Sequence, residues 1–168
     1  MSHNLIVTLQ LDTETTAFLN RQRKKYYPAH ANRVAAHLTL FYCLPVAAEQ
    51  LITHTLLETV AAQPVFPVAI SEVQLYGNWV AYTLQSDKVK TLHATLQLQW
   101  ESWLSKRDQR PFYPHITVMN GSTAFKAQQT YQELERSFYH IAATVTGIQL
   151  WRYRKGPWEP VATYSFAE

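Results

Sequence analysis

The chain has 168 residues, of which 47% are hydrophobic and 16% charged, with only four glycines. That composition excludes a disordered or fibrous chain, and the length suits one domain burying about two-thirds of its unfolded surface. An excess of 15 basic over 12 acidic residues, with a pI near 9.0, permits a phosphate-bearing ligand but lacks the strongly basic profile of a nucleic-acid coat protein.

No apolar run reaches the ~20 residues a membrane helix requires. The opening Met1-Ser2-His3-Asn4 has neither the basic region nor the apolar stretch of a secretory leader, so a cytoplasmic location away from membranes is expected. The single Cys43 excludes an internal disulfide and a cysteine-based zinc site, and reads as a buried spacer.

In chain order, residues 5–11 are rich in β-formers, and Asp12 is a good N-cap for a helix running to about residue 25. The cations Arg21, Arg23, Lys24 and Lys25 then read as solvated groups complementing the dipole of its last turn. After Pro28 a strand is predicted over 36–43, closed by Pro45. A helix follows over 49–62, where Ile52, Leu56 and Val60 repeat at helical spacing. Strands over 68–76 and 79–84, joined through Gly77-Asn78, form a predicted hairpin. Asp87 is expected to cap a longer helix with the apolar stripe Val89, Leu92, Leu96, Trp100, Trp103 and Leu104. Beyond Asp108-Gln109-Arg110-Pro111 come a strand over 115–119, a helix over 125–138, and strands over 144–153 and 161–166 turned at Gly156-Pro157-Trp158.

The chain repeats itself. Thr8-Leu9-Gln10-Leu11-Asp12 recurs as Thr83-Leu84-Gln85-Ser86-Asp87, His37-Leu38-Thr39-Leu40 as His115-Ile116-Thr117-Val118, and Val73-Gln74-Leu75-Tyr76 as Ile148-Gln149-Leu150-Trp151. Three matches in one order at nearly one offset indicate a duplicated unit. Each half reads strand, helix, strand, helix, strand. The expected fold is therefore α+β: two pseudo-symmetric lobes, each an antiparallel sheet with helices packed outside and a cleft between them, forming a single bilobal domain over residues 1–168.

Alternation along a strand puts His37 and Thr39 on one face, opposite Leu38 and Leu40, and likewise His115 and Thr117 opposite Ile116 and Val118. Pro114 keeps Tyr113 out of helical geometry, favouring an extended entry to the second motif. An approximate two-fold between the halves would bring both polar pairs into one groove. Two imidazoles there could remove a proton from an attacking oxygen and return one to a leaving oxygen on either side of phosphorus. Threonine hydroxyls could donate to the non-bridging oxygens, where charge accumulates. Such chemistry calls for no metal and no cofactor, and two histidines lack an evident third ligand for a metal. Phe41 and Tyr113 lie two residues from motif positions and are candidates to stack on a base.

With its two His-x-Thr-x motifs, His37-Leu38-Thr39-Leu40 and Tyr113-Pro114-His115-Ile116-Thr117-Val118, the chain resembles the 2H phosphoesterases, which include 2′-5′ RNA ligase-like proteins and RNA cyclic phosphodiesterases. The resemblance extends over essentially the whole sequence. It implies a bilobal fold with a central cleft, His37 and His115 as the acid/base pair, and Thr39 and Thr117 as phosphate ligands. The implied substrate is an RNA-related phosphate ester: a 2′,3′-cyclic phosphate or a 2′-5′ linkage at an RNA end or in a small nucleotide. Some ligase-like members carry a basic residue shortly after the second motif, where Met119 and Asn120 stand here. No obligate protein partner is evident and a monomer is expected. The alternative is a non-catalytic RNA- or nucleotide-binding module using the same cleft.

A third tetrapeptide, His93-Ala94-Thr95-Leu96, matches the same pattern but lies on a predicted helix, where positions two apart do not share a face. His93 is therefore expected to be a packing residue. His54 and His140 are expected at the surface.

Overall fold

A computed structural model describes residues 3–168; Met1 and Ser2, part of the stretch read above for a secretory leader, lie outside the described residues. In chain order the elements are β1 (Asn4–Leu11), α1 (Thr13–Tyr26), β2 (Leu38–Pro45), α2 (Glu49–Ala62), β3 (Phe66–Tyr76), β4 (Trp79–Leu84), α3 (Asp87–Gln99), β5 (His115–Met119), α4 (Ala124–Ser137), β6 (Ile141–Tyr153) and β7 (Glu159–Ser165). The α+β fold and the repeated strand-helix-strand-helix-strand order are as expected. Among the described residues no helix is long and apolar enough to cross a membrane.

The seven strands form one antiparallel ladder in the order β2-β1-β6-β3-β4-β5, with β7 also paired to β6. The half-sheets are thus continuous rather than separate, and the 13-residue β6 joins them. Along one side β6 pairs with β1; along the other it pairs first with β3, up to Phe66 opposite Val145, and then with β7 from Ser165 opposite Gly147. The glycine is required at that changeover, because a Cβ on Gly147 would collide with the carbonyl oxygen of Tyr164.

Ladder register refines the repeat. Thr8 pairs with Thr39 and with Gln149, whereas Ala81 pairs with Thr117 and with Gln74. The structural counterpart of Thr8 is therefore Ala81, two residues from the Thr83 suggested by the matching strings. A shift of two leaves the same side chains on the same faces, so a short string of period two does not determine register.

Helix termini follow capping chemistry. The Asp12 carboxylate accepts from the Thr15 backbone N–H at 2.8 Å and also from the Thr144 N–H, tying the start of α1 to β6. For α3 the cap is Ser86, whose Oγ accepts from the Val89 N–H; Asp87 is the first helical residue. Trp100 ends that helix, so the predicted stripe overruns it at Trp103 and Leu104, which follow in a 3₁₀ turn and an extended segment.

The first helices are exchanged between halves. α1 lies against β5, while α3 reaches β2, where the His93 ring stacks on Phe41. α2 packs on β6 and β7, and α4 on β3 and β4. Between helices and sheet lies a core whose largest fully buried side chains are Trp100, Phe41 and Phe66. The outcome that matters for function is that β2 and β5, the two end strands of the ladder, face each other in contact.

Candidate active site

His37 stands one residue before β2 and His115 is the first residue of β5. Both rings are oriented in the same way: Nδ1 of His37 lies 2.7 Å from the Ala35 carbonyl oxygen, and Nδ1 of His115 lies 2.8 Å from that of Tyr113. A carbonyl only accepts, so each Nδ1 carries the proton and each Nε2 is left without a protein partner among the described residues. A bond to the residue two positions back is available only to an extended segment, which Pro114 enforces before His115.

Thr39 and His115 line one cleft of about 120 Å³, together with Tyr42, Arg110, Phe112 and Tyr113. His37 opens onto an adjoining groove with Gln10, Asn20 and Gln149. The two imidazoles are within electrostatic reach, because charge on His115 disfavours protonation of His37. Burial is the largest cause of the His37 shift, with the charges of Arg23 and His115 acting the same way against the opposing Ala35 bond; together they lower its pKa to about 4. Among the described residues no protein group engages the hydroxyls of Thr39 or Thr117, leaving both available to a ligand. A larger groove of about 510 Å³ between α2 and α3, flanked by Thr59 and Thr95, contains no histidine; size alone does not mark the site.

Phe41 is corrected. It is fully buried, stacked on His93 at 4.7 Å and edge-on to Trp100 at 5.0 Å, so no ligand reaches its ring. Strict alternation puts Phe41 on the face of Thr39, but the β1–β2 ladder shifts register there: Thr39 pairs with Thr8 and Phe41 with Val7, so Leu40 is an extra residue and Phe41 turns to the core face of Val7, where α3 covers it. Tyr113 is 70% exposed and borders the cleft. His93 is the expected packing residue, 4% exposed and held between Phe41 and Phe112, the latter at 3.9 Å. Burial lowers its pKa to about 4 despite the nearby Asp108 carboxylate and the Leu40 backbone. His54 and His140 are at the surface.

Three features escaped the sequence reading. The first is a half-buried tryptophan beside each imidazole. Trp158, from the turn between β6 and β7, lies 4.5 Å from His37 with Trp151 behind it at 6.1 Å; Trp79, the first residue of β4, lies 5.4 Å from His115 with Tyr76, its ladder partner at the end of β3, stacked on it at 4.2 Å. Tyr76 and Trp151 end the third matching string of the repeat, a signal that marked these hairpins without assigning them a task. The asymmetry between the two pairs has a partner below it. Trp151 donates from Nε1 to the Thr8 hydroxyl at 2.9 Å, whereas Tyr76 stands in the half where Ala81 replaces that threonine.

The second is Arg23, which is 4% exposed rather than solvated, and donates to the Thr117 carbonyl at 2.8 Å and to Asn32 Oδ1 at 3.0 Å. The third is Asp108, also 4% exposed, whose carboxylate accepts the backbone N–H groups of Tyr42 and Cys43 at 2.8 and 2.9 Å. Among the described residues no three His, Cys, Asp or Glu side chains are grouped to hold a metal ion.

A family model described as the 2′-5′ RNA ligase superfamily matches residues 11–157. The chain belongs to the 2′-5′ RNA ligase superfamily. Solved structures agree with the superfamily fold from end to end. The Escherichia coli LigT structure with 3′-AMP is 19% identical, with 99% of each chain covered and a TM-score of 0.67. TT0787 of Thermus thermophilus is 17% identical over 97% of each chain, also at 0.67. A phosphoesterase crystal structure is 21% identical over 100% of both chains, at 0.64. Among curated proteins no sequence matches the chain. At these identities the solved structures speak for the fold, and superfamily membership for a phosphoesterase- or ligase-like enzyme.

Proposed function

We propose that this superfamily member is a phosphodiesterase that works without a metal, acting on a 2′,3′-cyclic phosphate or a 2′-5′ linkage at an RNA end or in a nucleotide. The observation that carries the reading is the matched orientation of the two imidazoles, each anchored through Nδ1–H with Nε2 free. A pKa lowered by burial to about 4 keeps His37 unprotonated at neutral pH, so that its Nε2 is open to accept a proton. Its Nε2 takes the proton of the attacking water or hydroxyl as the new P–O bond forms, and Nε2–H of His115 gives a proton to the leaving oxygen as the old bond breaks. One positioned acid or base contributes ~10²–10⁴ in rate. The free hydroxyls of Thr39 and Thr117 donate to the non-bridging oxygens, where charge grows toward the transition state.

Tyr113, exposed at the mouth of the cleft, is the aromatic we assign to stacking on a nucleobase. E. coli LigT has been crystallised with 3′-AMP, phosphate and ATP, ligands of the chemical class this reading requires. We further propose that the chain acts as a single bilobal domain and as a monomer.

The test is a panel of nucleoside 2′,3′-cyclic phosphates and 2′-5′-linked dinucleotides assayed with chelator present. Turnover is expected, and exchanging both His37 and His115 for alanine should remove it. Turnover that survives the double exchange, or tight nucleotide binding with no turnover of any substrate, overturns the reading.

A further inference from the structure

The cleft holding Thr39 and His115 continues under the segment that leads into β5, and that segment brings two guanidinium groups, Arg107 and Arg110, to its lining. Neither is paired with a carboxylate among the described residues. Arg107 lies over the ring of Tyr42, 3.5 Å from its centroid, and among the described residues no protein group engages the Arg110 side chain. The only carboxylate among the described residues lining the cleft is Asp108, and its oxygens are committed to two backbone N–H groups and to the Ser105 hydroxyl at 3.1 Å.

These arginines are not on a loose loop. Asp108 lies between them in sequence and is buried, and its own carbonyl oxygen accepts from Gln97 Nε2 at 2.9 Å. Pro111 follows Arg110 directly and stiffens the exit. The backbone carrying both cations is thereby fixed to β2 on one side and to α3 on the other. Cations held beside a cavity, without counter-ions, form an anion site, and planar guanidinium groups suit phosphate. On the reading above, the hydroxyls of Thr39 and Thr117 serve one phosphate.

We infer that Arg107 and Arg110 bind a second phosphate, one nucleoside away from the scissile one. This rests on the phosphate-ester reading above and narrows the substrate class to an oligonucleotide strand or a nucleoside bisphosphate, rather than a nucleotide with a single phosphate.

Calorimetric binding of two probes to the full chain tests this without depending on turnover: adenosine 2′-phosphate and adenosine 2′,5′-bisphosphate. The bisphosphate is expected to bind about tenfold more tightly at low salt, as suits exposed guanidinium contacts, with the advantage shrinking as salt rises. In the Arg107→Gln/Arg110→Gln double variant the ratio of the two dissociation constants should fall close to one, and lysine at both positions should restore part of it. Equal affinity of the unaltered protein for the two probes overturns the inference, as does an advantage that persists in the double variant. Failure of the phosphodiesterase reading would appear instead as absent turnover with these affinities unchanged.

Discussion

Arg23 and Asp108 occupy the same interval in the two halves, after the first strand and before the second, and each reaches across to the other half. The guanidinium of Arg23 serves the Thr117 carbonyl on β5, and the carboxylate of Asp108 serves the Tyr42 and Cys43 N–H groups on β2. Two buried charges of opposite sign thus hold the strands that follow the two histidines.

Removing the carboxylate should cost stability. In Asp108→Ala two backbone donors lose their acceptor, and an unsatisfied buried polar group costs ~1–3 kcal/mol. A loss of about 3 kcal/mol is expected from urea unfolding, with a smaller loss for Asp108→Asn, which keeps one acceptor. An alanine variant as stable as the parent would show that water replaces the carboxylate.

Substituting the guanidinium should be read in a pH profile. Arg23 disfavours protonation of His37, so Arg23→Met should raise the acid limb of kcat/KM above its expected position near pH 4, by up to about one unit. Arg23→Lys keeps the charge and should leave the limb closer to the parent position. An unmoved limb in the methionine variant would dissociate Arg23 from the histidine.

Trp158 should act on the same limb through solvent rather than charge. Its ring lies 4.5 Å from His37, and burial is the largest cause of the low pKa. Trp158→Leu readmits water, so the limb should move upward toward the ordinary imidazole value of about 6.5. Because Trp158 is half-buried in a turn, its urea midpoint should change little. A large fall in stability with no pH effect would make the ring merely structural.

His93 gives a separate pH dependence, in stability. Its pKa is about 4 in the folded chain and about 6.5 when unfolded, so the unfolded state takes up the proton first on acidification. Stability is full above about pH 6.5, declines as pH falls from there to about 4, and loses on the order of 3 kcal/mol from this group across that window. His93→Phe keeps a ring between Phe41 and Phe112 and should flatten the decline between about pH 7 and pH 4.5. His37 shares the window but keeps partial solvent access, so some decline should remain. An unchanged slope would mean that His93 does not titrate with unfolding.

What the sequence made legible was the duplication and the paired motifs, because both depend on local pattern. The helix stripe Ile52, Leu56 and Val60 is buried as its spacing predicts. Phe41 was misread because strict alternation does not foresee a β-bulge: the extra residue Leu40 turns Phe41 away from the face of Thr39 and onto the core side of Val7. Arg23 and Asp108 look like surface charges when read locally; their partners are 94 and 66 positions away, and burial of a charge is decided by such partners. The tryptophans beside the imidazoles stand in or next to hairpin turns, Trp158 between β6 and β7 and Trp79 at the start of β4, where composition suggests bends and nothing of what the bend delivers.

The exchange of first helices has a consequence for dissection of the molecule. A fragment ending after β3 would contain α1 but not β5, and β2 without α3, leaving Phe41 without His93 and Trp100 and Arg23 with no Thr117 carbonyl to serve. Cutting the chain in the β3–β4 turn should therefore yield two pieces that remain unstructured apart and regain their shape, and any turnover, only when mixed.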